Sequence, residues 1–213
     1  GATPQHVMIG AMESMGDPAI WKEERIEAPV LIINAKNGLW PADYEAILAE
    51  SSAASRPAPL SLYLHTPFCE SLCYFCACTV VISGNHSVEE PYLSLLEKEI
   101  DWVSSRTGRE REVIQLHWGG GTPTYLAPER ITRLAEKLRS RFRFAADAEV
   151  GVEVDPRVTT TAHLTALRNA GFNRLSMGVQ DFDPAVQKAV DRIQTYEGTR
   201  ALDNGAQGIV VPH

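Results

Sequence analysis

All four cysteines of the 213-residue chain fall between positions 69 and 78. A disulfide framework would spread them to staple distant loops. Crowding in one loop points instead to a metal site kept reduced. Cys69, Cys73 and Cys76 follow the pattern C-x3-C-x2-C, just after the apolar run 60–65. Three thiolates leave one iron of a [4Fe–4S] cube without a protein ligand and free to bind a small molecule, whereas such clusters usually take four cysteines. The spacing leaves two other readings open. Zinc would more often use Cys-x2-Cys pairs from two separate loops, and buried thiols need hold no metal at all. Cys78 follows Cys76 too closely to read as a further ligand. Tyr74 and Phe75 are placed to shield a cluster from water.

Other chemistry-bearing residues sit where strands should end. Gly119-Gly120-Gly121-Thr122 closes an apolar run, and glycine lets backbone approach a ligand with no Cβ between; a tight strand-to-helix turn would use the same residues. Glu153 ends another run, followed by Asp155-Pro156; a lone Glu is more simply a capping or solvated acid. Gln180 ends a further run and Arg192 lies in the helix expected after it, where a surface role is the plainer reading. Tyr63, on its own, reads as core.

The elements that would position these residues alternate. Strands are expected at 60–65, 113–118, 149–154 and 174–179, and helices at 88–103, 128–142, 161–170 and 184–193. In the first helix Tyr92, Leu95, Ile100 and Val103 fall close to one face. Pro128 suits a first turn, and Gly171 suits a C-terminal cap. Alternation of this kind implies parallel βα units, and near-invariant right-handed crossovers let them curl into part of a barrel, with the site at the C-terminal ends of the strands. The expected fold is α/β: a partial parallel (β/α) barrel of about four βα units with an extra N-terminal βα piece. That piece is a strand at 28–35, an Asn37-Gly38 turn and a helix at 42–51, followed by a Pro-containing linker.

The stretch LSLYLHTPFCESLCYFCAC resembles the cysteine loop of radical S-adenosylmethionine (SAM) enzymes of the oxygen-independent coproporphyrinogen III oxidase family, down to the final Cys-x-Cys. HWGGGTPTYL, VEVDPR, MGVQDFD and VQKAVDRIQ follow in that family's order. The resemblance implies a radical SAM barrel over about 59–197, with a [4Fe–4S] cluster on Cys69, Cys73 and Cys76. It places Tyr63, Phe75, Gly120, Gly121, Thr122 and Glu153 around SAM, Glu153 accepting hydrogen bonds from the ribose hydroxyls. It puts Gln180 and Arg192 against a second SAM. It implies that a 5′-deoxyadenosyl radical takes hydrogen from propionate side chains of coproporphyrinogen III, which lose CO2 to become the vinyl groups of protoporphyrinogen IX. A porphyrinogen substrate and a flavodoxin- or ferredoxin-like electron donor would be the partners.

The flanks read differently. Residues 1–58 contain RIEAPVLIINAKNGLWPADYEAIL, similar to a late strand and helix of α/β-hydrolases, but the nucleophile elbow G-x-S-x-G those enzymes need is broken by Met12. Residues 198–213 are similar to a strand entry of class II hydroxy-acid aldolases, with a strand expected at 209–211. The chain therefore also reads as a chimera of three family fragments, or as a non-catalytic Fe–S and SAM-binding fragment. A net charge of −7 argues against nucleic acid or an acidic membrane surface as partner. No apolar run approaches the roughly 20 residues of a membrane helix, and no secretory signal is evident. With the reduced cysteines, this points to the cytoplasm.

Overall fold

A computed structural model describes residues 30–33, 42–53, 57–76 and 78–206. The expected Asn37-Gly38 turn, the broken elbow and the strand at 209–211 lie outside these residues. The centre is a five-stranded parallel sheet in the order β1 (Val30–Ile33), β2 (Leu60–Thr66), β5 (Glu112–Gly120), β6 (Arg143–Val154), β7 (Arg174–Met177). The four expected barrel strands are adjacent, parallel and in chain order. The N-terminal run pairs onto them, Ile32 opposite Tyr63, so it extends the same sheet.

Parallel neighbours need a crossover, and helices supply it. These are α1 (Ala42–Ala53), α2 (Glu89–Ser104), α3 (Pro128–Arg141), α4 (Thr161–Asn169), α5 (Pro184–Ala189) and α6 (Tyr196–Gly205). The linker end of α1 is tied down by polar contacts: Arg111 Nη1 donates to Ser51 Oγ at 2.9 Å, and Ser52 Oγ donates to the Arg106 carbonyl at 2.9 Å.

Side chains alternate across a strand, and here the alternation divides the sheet into two unlike faces. Leu62, Leu64, Leu116, Trp118, Val150, Val152 and Leu175 are buried with Leu93, Leu96, Ile100, Ile131, Leu134, Leu138 and Leu167 of the helices. The intervening positions carry Tyr63, Gln115, His117, Glu149, Glu153 and Arg174. Two polar ladders cross that second face. One runs Ser61 to Gln115 (3.0 Å), Gln115 to Glu149 (3.1 Å) and Arg174 to Glu149 (2.9 Å). The other contains Tyr63, His117 and Glu153. Parallel sheets normally bury apolar residues on both faces; here one face carries polar side chains bonded to one another instead.

Several sequence expectations shift. β6 begins at Arg143, six residues before the expected 149, and ends at Val154, so Glu153 is its penultimate residue rather than its last. β7 stops at Met177 rather than 179, and Gln180 lies three residues beyond it with φ 65°. α5 ends at Ala189 rather than 193, because the chain turns through Asp191 at φ 52°. Arg192 is therefore in the loop after the helix. Tyr63 is mid-strand, half-buried and on the polar face rather than in the core. Leu95 is 51% exposed, so the buried stripe of α2 is Tyr92, Leu93, Leu96, Ile100 and Val103. Gly171 has φ 84° and caps α4 as expected. The start of the C-terminal flank, expected as an aldolase-like strand entry, is instead part of α6, which packs on α4.

Candidate functional site

β2 runs into a loop that returns as a second, two-stranded sheet. β3 (Phe68–Cys69) pairs with β4 (Val81–Ile82), Cys69 opposite Ile82. The cysteine loop is the excursion between them, fixed at both ends. Val81 N–H donates to the Pro67 carbonyl at 2.7 Å and Ser83 N–H to the Cys69 carbonyl at 2.9 Å. The sequence reading had no signal for so short a pair.

The loop covers a cleft of about 360 Å³ at the C-terminal ends of the parallel strands. Cys69, Cys73 and Cys76 line it, and so do Phe75, Gly120, Gly121, Thr122, Glu153, Gln180 and Arg192. Every predicted site residue except Tyr63 reaches this one space. Tyr63 stands behind Glu153: its ring stacks on His117 at 5.8 Å, and His117 Nε2 lies 2.9 Å from Glu153 Oε1. A larger hollow of about 540 Å³, lined by Arg109, Arg139, Arg141 and Arg143, is at the opposite ends of the strands and holds none of the predicted residues.

The three cysteines differ. Cys73 is buried, Cys69 half-buried and Cys76 exposed. Burial pushes the Cys69 thiol up, and a 3.3 Å hydrogen bond with the Thr122 hydroxyl works the other way. Burial, then the neighbouring Cys76, push Cys78 up to about 11. Cys78 also lines the cleft, and its N–H donates to Cys76 Sγ at 3.3 Å. Burial, with the charges of Glu153 and Cys78, pushes Tyr63 up to about 12, so it is a neutral hydroxyl here. Tyr74 and Phe75 do not shield the loop as expected. They are 70% and 64% exposed, though Phe75 still lines the cleft.

The glycine tip approaches backbone, as anticipated, but the backbone is the chain's own. Gly121 N–H donates to the Thr66 carbonyl at 2.7 Å, and Thr122 N–H to the Phe68 carbonyl at 2.9 Å. A Cβ on Gly121 would stand 2.7 Å from the Phe68 carbonyl oxygen and 2.9 Å from the Pro67 carbonyl carbon. Gly121→Ala should therefore cost about 1–3 kcal/mol, the range for overpacking, by prising β3 from the end of β5. Denaturant unfolding checks this; a variant as stable as the parent would show that the two segments separate freely.

One cluster escaped the sequence reading. Asp155 accepts from Arg157 Nη2 at 2.7 Å and pairs with Arg192 Nη2 at 3.0 Å. Burial opposes its charged form, yet the Arg157 hydrogen bonds and the Arg192 charge prevail and hold the carboxyl below the usual range. Arg192 also donates to the Gly178 carbonyl. It is thus a buried partner of Asp155, which corrects the plainer surface reading. The adjacency of Asp155 and Arg157 was visible; that Arg192 joins them was not.

The donor set fits an iron–sulfur cube. Three thiols from one loop converge on one cleft, beside a glycine tip. Among the described residues no three His, Cys, Asp or Glu side chains are grouped closely enough to hold a single metal ion, so it is the type and number of the thiols and their shared cleft that fit the cube.

Comparisons agree with this geometry. The family model for the radical SAM superfamily matches residues 63–204, past the expected boundary at 197. The oxygen-independent coproporphyrinogen III oxidase of Pseudomonas aeruginosa is 45% identical over 172 residues, 80% of this chain and 37% of that protein. That match is longer than the 60–197 segment and so extends into at least one flank. The Escherichia coli protein of the same name is 51% identical over 151 residues, 71% of this chain and 33% of its own. The solved Escherichia coli coproporphyrinogen III oxidase, described as a radical SAM enzyme, superposes with a TM-score of 0.72 at 48% identity, over 78% of this chain and 38% of that one. The chain spans about a third of the length of the curated relatives it matches. With its parallel sheet, its three-cysteine loop and this match over most of its length, the chain belongs to the radical SAM superfamily, and its cofactors are a [4Fe–4S] cluster and S-adenosylmethionine.

Proposed function

We propose that this chain is the cluster- and SAM-binding part of an enzyme that oxidatively decarboxylates coproporphyrinogen III to protoporphyrinogen IX. The observation that carries the reading is the convergence of Cys69, Cys73, Cys76, the Gly119–Gly121 tip and Glu153 on one cleft, in a chain 45–51% identical to enzymes of that name. When bound, the cluster and SAM supply the electron and the 5′-deoxyadenosyl radical that takes hydrogen from a propionate side chain.

The chain's own residues bind and orient. Cys69, Cys73 and Cys76 ligate as thiolates, so loading releases protons. Thr122 hydrogen-bonds Cys69 and steadies that ligand. Glu153, oriented by His117, accepts from the ribose hydroxyls. Gly120 and Gly121 let the end of β5 close onto the chain's own backbone at 66–68, which sets the cleft wall beside the amino-acid end of SAM. Gln180 and Arg192 border the same cleft and would face a second SAM there; the Arg192 Nε is buried and has no hydrogen-bond partner among the described residues. Phe75 contributes to the cleft lining. The porphyrinogen substrate, a flavodoxin- or ferredoxin-like donor and a cytoplasmic setting belong to the same reading. Among the described residues no helix is long and apolar enough to cross a membrane.

A second reading, a fragment that binds cluster and SAM without turnover, is favoured by β7, which among the described residues pairs with β6 alone. The flanks at 1–58 and 198–213 would then be the hydrolase-like and aldolase-like pieces of a chimera. One experiment separates the two. After anaerobic reconstitution, the EPR signal of the reduced cluster should change on adding SAM, and coproporphyrinogen should be consumed. A SAM-sensitive signal without turnover supports the fragment. A signal indifferent to SAM sinks both.

A further inference from the structure

Arg157 is braced toward the cysteine loop. Its Nε and Nη2 both meet Asp155, at 3.1 and 2.7 Å, fixing the plane of the guanidinium. Its Nη1 lies 3.5 Å from Ser71 Oγ, between Cys69 and Cys73 in the chain, and it lines the cleft with both cysteines. On the other side Asp155 is shared with Arg192. Two cations around one anion leave this trio with a surplus positive charge, and Asp155 and Arg192 are buried. Asp155 and Arg192 balance each other in the interior, which leaves the surplus on Arg157, 18% exposed at the side chain and open to the cleft. A cation held in so partly dry a place is stabilised by an anion set against it. The hydrogen bond to Asp155, and then the nearby charges of Asp155, Cys73 and Cys69, raise the Arg157 pKa, as expected for a cation facing thiolates.

We propose that Arg157, aimed by Asp155, is the fixed counter-charge of the cysteine loop and sets the reduction potential of the cluster held there. The proposal rests on the cluster assignment above. A cube on three thiolates is an anion, and reduction adds one more negative charge. A cation locked beside it in a partly dry cleft stabilises the reduced state more than the oxidised one, so it raises the potential; nearby charge is a recognised lever on such clusters. Arg157 is a positioning residue here, because no part of it needs to touch substrate.

The test is an EPR-monitored redox titration of the reconstituted 213-residue chain, with iron and sulfide counted in each sample. Arg157→Gln should hold iron and shift the midpoint to a more negative value, and Arg157→Lys should recover most of the shift by restoring charge without the fork. Should Gln lose the cluster while Lys keeps it, the need for positive charge is again upheld. A Gln variant with parental iron content and an unmoved midpoint overturns the proposal. Loss of iron in both variants overturns it too, because the residue then acts only as a brace. If the unsubstituted chain itself takes up no iron, the cluster assignment fails first, an outcome distinct from either.

Discussion

Cys73→Ala should leave the reconstituted protein with no more iron and sulfide than a variant lacking Cys69, Cys73 and Cys76 together. The broad visible absorbance of the cluster should disappear with them. Cys73 is the most buried of the three thiols. The loop around it is pinned by the Tyr74 N–H bond to the Val190 carbonyl at 2.9 Å and by Cys76 N–H to its own carbonyl at 3.0 Å. No other thiol can swing into its place, and two protein thiolates hold a cube poorly. The contrast is Cys78→Ala. Cys78 lines the same cleft, but it is exposed, and its own N–H donates to Cys76 Sγ at 3.3 Å, as expected for a neighbour that supports a ligand sulfur. That variant should keep the parental iron content. Full iron in Cys73→Ala, or loss in Cys78→Ala equal to that in Cys73→Ala, would mean that the ligand set has been misassigned.

Asp155→Ala should be the most destabilising single substitution at the site, by about 3–5 kcal/mol at neutral pH. Both members of the Asp155–Arg192 pair are more than nine-tenths buried at the side chain, so removing the carboxylate strands a guanidinium that water reaches poorly. Arg157 loses its aim at the same time. The effect has a definite pH dependence. The carboxyl is held below its ordinary 3.8 in the folded protein. Its contribution is therefore complete above that ordinary value and is lost as pH falls through the lower folded value. Urea unfolding of parent and variant should differ most at pH 7 and converge as the solution is acidified through and below pH 4. A difference under about 1 kcal/mol at pH 7, or one that widens in acid, contradicts a charge-paired Asp155.

Much of the site was legible because it is local. The C-x3-C-x2-C loop, the glycine tip at a strand end and Glu153 just before Asp155-Pro156 each depend on spacing within one element, and spacing within an element is what a chain writes directly. The alternation of strands and helices was legible for the same reason. Hydrophobic runs of four to eight residues between helical stripes leave parallel βα units as the simplest arrangement. The family blocks then supplied the chemistry.

Tertiary structure decided what depends on distant segments meeting. Tyr63, His117 and Glu153 sit on three strands, and only the β2–β5–β6 register brings them into one ladder on the polar face. Arg192 could be judged buried only once the turn at Asp191 had carried it back to Asp155. Phe75 and Tyr74 looked like shielding aromatics by type, yet nothing in their spacing says which way a loop presents them, and both are exposed. The short β3–β4 pair is held by two backbone hydrogen bonds, one at each end, and backbone pairing of so few residues leaves no side-chain pattern to read. The sequence by itself named the candidate ligands and the succession of the barrel strands, since both are properties of short segments. The second face of the sheet, with its ladders and its surplus charge, was settled by packing, because charge balance and hydrogen-bond partners belong to the space between elements.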